Sequence, residues 1–215
     1  MERLNVIEGR VVASLVEKQL LTPQAYPLTL HALTAACNQS TSRDPVMILS
    51  DGEVEGALES LKAQHLVRFV LPSHGRSVVR YRHVLDEVLG IDAPQLAVLA
   101  VLELRGPQTA AELRARTERM ARVESVEHDL ALLAAATPPL VRSLGRRPGQ
   151  KEERWQSLLT SEGPTDAASA VAEEAPGMPR RAPVLGELQA AVAELRREVD
   201  ALRAELLELR ESLGV

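Results

Sequence analysis

The chain has 215 residues with a formal net charge of −5, and only four of its residues are Trp, Tyr or Phe. That length allows one or two domains with appendages, and the scarcity of aromatics requires a core of Leu, Val and Ala. The net charge gives the whole molecule no pull toward nucleic acid, and a single Cys excludes an internal disulfide framework and a multi-thiolate zinc site.

The acid is unevenly placed. Residues 1–90 hold nine Lys/Arg against ten Asp/Glu, residues 91–160 ten against nine, and residues 184–215 four against seven. The first 160 residues are thus close to neutral, and any basic surface there must come from local arrangement. No n-region and apolar h-region open the chain, and no stretch approaches 18 apolar residues. A cytoplasmic protein without a membrane partner is expected.

Leu4, Ile7, Val11, Val12, Leu15 and Val16 recur at helical spacing, with Glu8, Arg10 and Glu17 expected mostly off that face. Thr22-Pro23 and Tyr26-Pro27 stop the helix, because each proline moves its predecessor away from the αR region. Thr29 caps a short helix ending near Asn38. Asn38 to Leu49 has no period and reads as a loop. Ser50-Asp51-Gly52-Glu53 is a capping box that opens a helix burying Val54, Leu58 and Leu61. Leu66–Leu71 and Val78–His83 are strands flanking Pro72-Ser73-His74-Gly75 turn chemistry, with Arg80 and Arg82 opposite Val79 and Tyr81.

A short helix over 84–89 leads to a second unit. Asp92 caps a helix whose Leu96–Leu104 stretch is apolar nearly all round, which predicts a central, buried element. Thr109-Ala110-Ala111-Glu112 is another capping box. A third helix carries Val123, Val126, Leu130 and Leu133, followed by Leu140-Val141-Arg142, a turn over 145–150 and a return strand over 153–159.

The two units match: Val54, Leu58 and Leu61 repeat as Val126, Leu130 and Leu133, and Leu66-Val67-Arg68 repeats as Leu140-Val141-Arg142. Thr29 to Val54 is 25 positions and Thr109 to Val126 is 17, so the first copy carries 25 − 17 = 8 extra residues, in the Asn38–Leu49 loop. Three helices and a hairpin, twice, predict an α+β chain, mainly helical, of two tandem winged helices over 1–90 and 91–160, of the helix-turn-helix class.

Residues 161–183 are rich in Ala, Glu, Pro and Gly and read as a linker. Over 184–215, Leu188, Val192, Leu195, Val199, Leu202, Leu206 and Leu209 alternate spacings of three and four, a heptad seam. Val at two a positions with Leu at d favours two parallel strands. Glu198 and Glu205 at g then face Arg203 and Arg210 at e of the partner helix, whereas an antiparallel pair would set Glu against Glu. A homodimer through a C-terminal coiled coil is expected.

Pro27-Leu28-Thr29-Leu30, Ala35-Ala36-Cys37-Asn38-Gln39 and Arg43-Asp44-Pro45-Val46 resemble the YceH-like family of bacterial proteins, as do Val16-Glu17-Lys18-Gln19 and 148–154. The resemblance spans about residues 8–160. It implies two winged helices and carries over no activity and no catalytic residues. The chain departs from the family pattern at His31, where Asn is usual, and at Ser40, where Lys is usual; the second removes a positive charge from the loop.

Double-stranded DNA is the first expected partner. The third helix of each unit is acidic, so contact would run through basic wings: Arg76, Arg80 and Arg82 in the first; Arg142, Arg146, Arg147, Lys151 and Arg154 in the second. A transcriptional regulator follows from that reading. A non-enzymatic protein-interaction scaffold is the alternative, and acidic third helices suit it better. Asn38, Gln39, Arg43 and Asp44 are the candidate partner site in the loop, set against a role in satisfying the loop's own backbone. No cofactor, metal site or small-molecule substrate is expected. The five His residues lack metal spacing, and Cys37 with His31 six positions away reads as a core cysteine before a nucleophile.

Overall fold

The computed structural model describes residues 3–71, 78–146 and 152–161, all within the first of the two units into which the chain divides, residues 1–163. The fold is mixed α+β and rich in helix. It runs α1 (Val6–Leu21), a 3-10 turn at Pro23–Ala25, α2 (Leu30–Cys37), α3 (Asp51–Ala63), β1 (Val67–Val70), β2 (Arg80–His83) and α4 (Leu85–Leu89). It continues with α5 (Ala93–Arg105), β3 (Gln108–Thr109), α6 (Ala110–Thr117), α7 (Val126–Ala135), β4 (Val141–Ser143) and β5 (Arg154–Ser157). The expected linker at 161–183 and the heptad residues Leu188, Val192, Leu195, Val199, Leu202, Leu206 and Leu209 lie outside the described residues, apart from Ser161.

Local chemistry starts the helices where the sequence expects it. Ser50 Oγ accepts the Glu53 N–H while Glu53 Oε2 accepts the Ser50 N–H, and Thr109 with Glu112 and Asp92 with Gln95 do the same. Asn5 and Glu8 form a fourth box that opens α1 at Val6 rather than at Leu4. Leu4 instead forms a parallel bridge with Thr160. Its N–H donates to Leu159 O, and its carbonyl accepts from Ser161 N, both at 2.8 Å, joining the two ends of the unit.

The internal repeat extends to individual hydrogen bonds. Leu66 N donates to Leu61 O, and Leu140 N to Leu133 O. Val84 N donates to Leu66 O at 2.9 Å, and Leu158 N to Leu140 O at 2.8 Å. In the second copy, three antiparallel strands lie in the order β3-β5-β4. In the first, β1 pairs with β2, and Leu28 takes the place of β3 by exchanging two backbone bonds with Tyr81. The same frame is thus built from different residues: Tyr81 stands opposite Leu28 as Trp155 stands opposite Gln108.

The core is aliphatic and continuous across both copies, from Leu15, Leu33 and Leu58 to Leu99, Leu113 and Leu130. α5 is buried along most of its length, as expected. α1 departs from expectation: it is buried on all sides from Glu8 to Glu17, including Glu8, Arg10 and Glu17. It packs against α2 and α3 of its own copy and against α5 of the other, so it has no solvent face on which to place those charges. Asp129 of α7 is also buried.

Candidate functional site

The Asn38–Leu49 loop is held shut by its own polar residues. Asn38 Oδ1 accepts the Leu49 N–H at 2.8 Å and Asn38 Nδ2 donates to Leu49 O at 2.7 Å. One side-chain amide thereby pairs the two ends of the loop as a strand partner would. α2 ends immediately before this loop, and its last carbonyls have no partners within the helix. Two buried arginines supply them. Arg43 Nη2 and Nε donate to Ala36 O at 2.8 and 3.2 Å, and Arg10 Nη1 donates to Cys37 O at 3.1 Å. Arg10 Nη2 also reaches Pro45 O at 2.6 Å, so α1 holds the far side of the loop as well. Cations at this end also suit the helix dipole.

Arg43 is buried because Glu17 of α1 is buried with it. Its Nη2 and Nη1 donate to the two Glu17 carboxylate oxygens at 2.7 and 3.1 Å, and Nη2 also donates to Gln39 Oε1 at 2.9 Å. Lys18 adds a second cation at 3.2 Å from Glu17. Burial alone would raise the Glu17 carboxyl, but the hydrogen bonds and charge of Arg43 outweigh it and hold Glu17 below the usual carboxylate value. Arg10 lacks an opposite charge this close; burial and the neighbouring Arg43 charge lower it.

Asn38, Gln39 and Arg43 are therefore occupied by the loop and its supporting helices. Asp44 differs: its backbone N–H bonds Leu104 O at 2.8 Å, while its side chain is exposed. Glu17 and Arg10 are the residues sequence reasoning missed here. The available signal was the family likeness of Val16-Glu17-Lys18-Gln19, far from the loop in sequence but bonded to it in the fold. Cys37 is fully enclosed, and burial pushes its thiol up, away from the thiolate a nucleophile needs.

The basic hairpins differ between the two copies. In the first, Arg68 and Arg82 face each other across β1 and β2, a like-charge pair. Glu87 of α4 reaches both, at 3.4 and 3.2 Å. Arg80 Nη1 donates to Pro27 O at 2.8 Å. In the second, Arg142 donates to Gln156 Oε1 at 3.1 and 2.9 Å across β4 and β5. Arg154 donates to Pro107 O at 2.7 Å and lies 3.6 Å from Glu112. Arg146 is exposed. Arg76, Arg147 and Lys151 lie outside the described residues.

The third helices also differ. α3 exposes Asp51, Glu53, Glu55 and Glu59. On α7, Glu127 is neutralised by Arg114 of α6 at 2.6 Å. Arg119 and Arg122, between α6 and α7, are exposed or nearly so. No group of three or more His, Cys, Asp or Glu among the described residues is placed to hold a metal ion, and among them no helix is long and apolar enough to cross a membrane.

A helix-rich α+β protein with an internally repeated frame and a loop locked by buried arginines is the class this architecture defines. Residues 4–150 match the model of a family described as a protein of unknown function, DUF480. The chain is 50% identical over 175 residues to a UPF0502 protein of Geotalea daltonii, covering 80% of this chain and 79% of that one. It is 52% identical over 162 residues to a UPF0502 protein of Geobacter sulfurreducens, covering 74% and 73%, and 48% identical over 180 residues to one of Mesorhizobium japonicum, covering 82% and 84%. The chain belongs to this DUF480/UPF0502 family of uncharacterised bacterial proteins.

Proposed function

We propose that this chain is a non-enzymatic protein of two tandem winged helices that binds double-stranded DNA, as a transcriptional regulator does. The winged-helix reading is supported in each copy by three helices followed by a hairpin, with a short extended segment before the second helix pairing onto the second hairpin strand. The asymmetry of charge carries the assignment to DNA. The first copy presents a carboxylate-lined α3 and a hairpin whose Arg68 and Arg82 are already paired with Glu87. In the second, Arg114 cancels the Glu127 charge, and Arg119, Arg122 and Arg146 reach solvent. Binding is therefore assigned to the second copy, through phosphate contacts beside α7 and from the hairpin. The heptad seam over 184–215 would pair two chains in parallel and double that footprint.

The test is a duplex titration at two salt concentrations. Arg122→Ala combined with Arg146→Ala should weaken binding and flatten the salt dependence by roughly 0.9 in log–log slope for each phosphate that is no longer neutralised. Arg80→Ala with Arg82→Ala should change little. Equal effects of the two pairs would sink the assignment to the second copy, and no measurable affinity at low salt would sink the DNA reading.

A protein-interaction scaffold is the second reading, favoured by one observation. The loop exposes Val46 and, at 93%, Ile48, on a chain whose neighbouring α3 exposes four carboxylates. An acidic surface edged by apolar side chains suits a protein partner better than DNA.

A further inference from the structure

The outward side of the Asn38–Leu49 loop forms one wall of a polar cleft of about 260 Å3. The other walls come from the end of α5, from β3 and α6, and from β5. Besides Arg43 of the loop, three guanidinium groups on three different elements line it: Arg105, Arg116 and Arg154. Two of them are fixed from behind. Arg154 donates to Pro107 O at 2.7 Å. Arg105 Nη2 donates to Ser42 Oγ in the loop, and the Arg105 and Gly106 carbonyls accept from the Gln108 side-chain amide at 3.1 and 3.3 Å. Among the described residues Arg116 has no hydrogen-bonded or ion-paired partner. Burial and the charge of Arg116 both lower Arg105.

Two carboxylates also line the cleft. Glu112 is engaged: its Oε2 accepts the Thr109 N–H at 2.9 Å and lies 3.6 Å from Arg154. Asp44 stands exposed on the loop. Arg43 is neutralised by Glu17 behind the loop. Three cations against two anions leave one positive charge in excess, concentrated at Arg105 and Arg116.

We propose that this cleft binds a small phosphate-class oxyanion, with Arg105 and Arg116 as its principal ligands, Arg154 as a third donor and Asp44 as the charge that sets its affinity. The planar guanidinium fork matches tetrahedral oxyanions through paired N–H donors. Binding there would link the loop, the end of α5 and the second hairpin strand through one ligand. The site is separate from the exposed arginines proposed for duplex DNA, so the two readings fail independently.

The experiment is a titration of inorganic phosphate into the full chain at constant ionic strength, followed by calorimetry, with thermal melts of every variant to confirm folding. Arg116→Ala should weaken binding about tenfold or more, as the loss of a charge-assisted ligand does. Asp44→Asn, an exposed change, should tighten it several-fold. Arg114→Ala, on the same helix but outside the cleft, should leave it unchanged. Absent binding to the folded wild type, equal loss in Arg114→Ala and Arg116→Ala, or weaker binding in Asp44→Asn would each overturn the proposal. Duplex DNA competing phosphate away in the Arg122→Ala, Arg146→Ala background would assign the cleft to the nucleic-acid backbone instead, and would also overturn it.

Discussion

Arg43 concentrates the local energetics of the loop. Its side chain is wholly enclosed, and its donors go to Glu17, Gln39 and the carbonyls of Ala36 and Ser42. Removing one partner of such a pair strands the other charge in a medium that solvates it poorly. Arg43→Leu should therefore cost about 3–5 kcal/mol in urea unfolding, and Arg43→Lys should recover only part of it, because an ammonium cannot bond both carboxylate oxygens and the helix end at once. A cost below about 1 kcal/mol would mean that the pair is solvated in solution. The pH dependence has a definite sign. Glu17 is lowered in the folded chain relative to the ordinary 4.5. Its stabilisation is present above that value and disappears as pH falls through the lower, folded one. The wild type should lose this increment on acidification, and Glu17→Gln should not show that loss.

At the scale of elements, the junction of α1 with α5 and with Thr160, beyond β5, depends on Gly9. A Cβ placed there would lie 2.9 Å from Glu103 Oε2 and inside contact distance of Thr160 Oγ1. The Thr160 hydroxyl is not free to turn away, since it donates to Glu103 Oε2 at 2.5 Å. Gly56 of α3 has nothing within 4 Å of the same position. The two glycines should respond oppositely to alanine: Gly56→Ala should stabilise by about 0.5–1 kcal/mol through helix propensity, and Gly9→Ala should lower the melting temperature despite the same propensity gain. A stabilising Gly9→Ala would show that α1 does not hold this distance from Thr160. The paired design removes the helix-propensity term, which is common to both sites.

At the scale of the whole molecule, the heptad seam is the candidate assembly device. The heptad seam and its Glu–Arg g/e pattern make a parallel dimer the expected state of the chain. Deleting residues 184–215 should take the particle mass measured by light scattering from that of a dimer to that of a monomer of the shortened chain, and retention of a dimer's mass would count against the coil as its cause. The repeated frame bears on the same question, because the two copies have different surfaces. In one hairpin Glu87 of α4 lies against Arg68 and Arg82, and the other keeps Arg146 in solvent. A dimer of such chains would present each of these surfaces twice.

Apart from the Asn5–Glu8 box and β3, the sequence by itself determined most of the helices and their caps, the hairpin strands and the duplicated frame. These follow from near neighbours: a Ser or Thr three positions before a Glu, a proline that removes its predecessor from αR, a period of 3.6 or 2. It also isolated the Asn38–Leu49 loop, since eight residues absent from the second copy have no place in the common frame. Tertiary structure alone decided what the loop residues do. Arg43 meets Glu17 across 26 positions, Arg10 meets Cys37 across 27, and Arg105 meets Ser42 across 63. No periodic pattern encodes such pairs, because a charge on a helix reads as solvent-facing until another layer packs over it. α1 is covered on both sides, by its own copy and by α5, so Glu8, Arg10 and Glu17, which periodicity assigns to the surface, became buried partners. The same packing divided the loop's arginine and aspartate between two roles: Arg43 is locked within the fold, and Asp44 is left at the mouth of a cationic cleft.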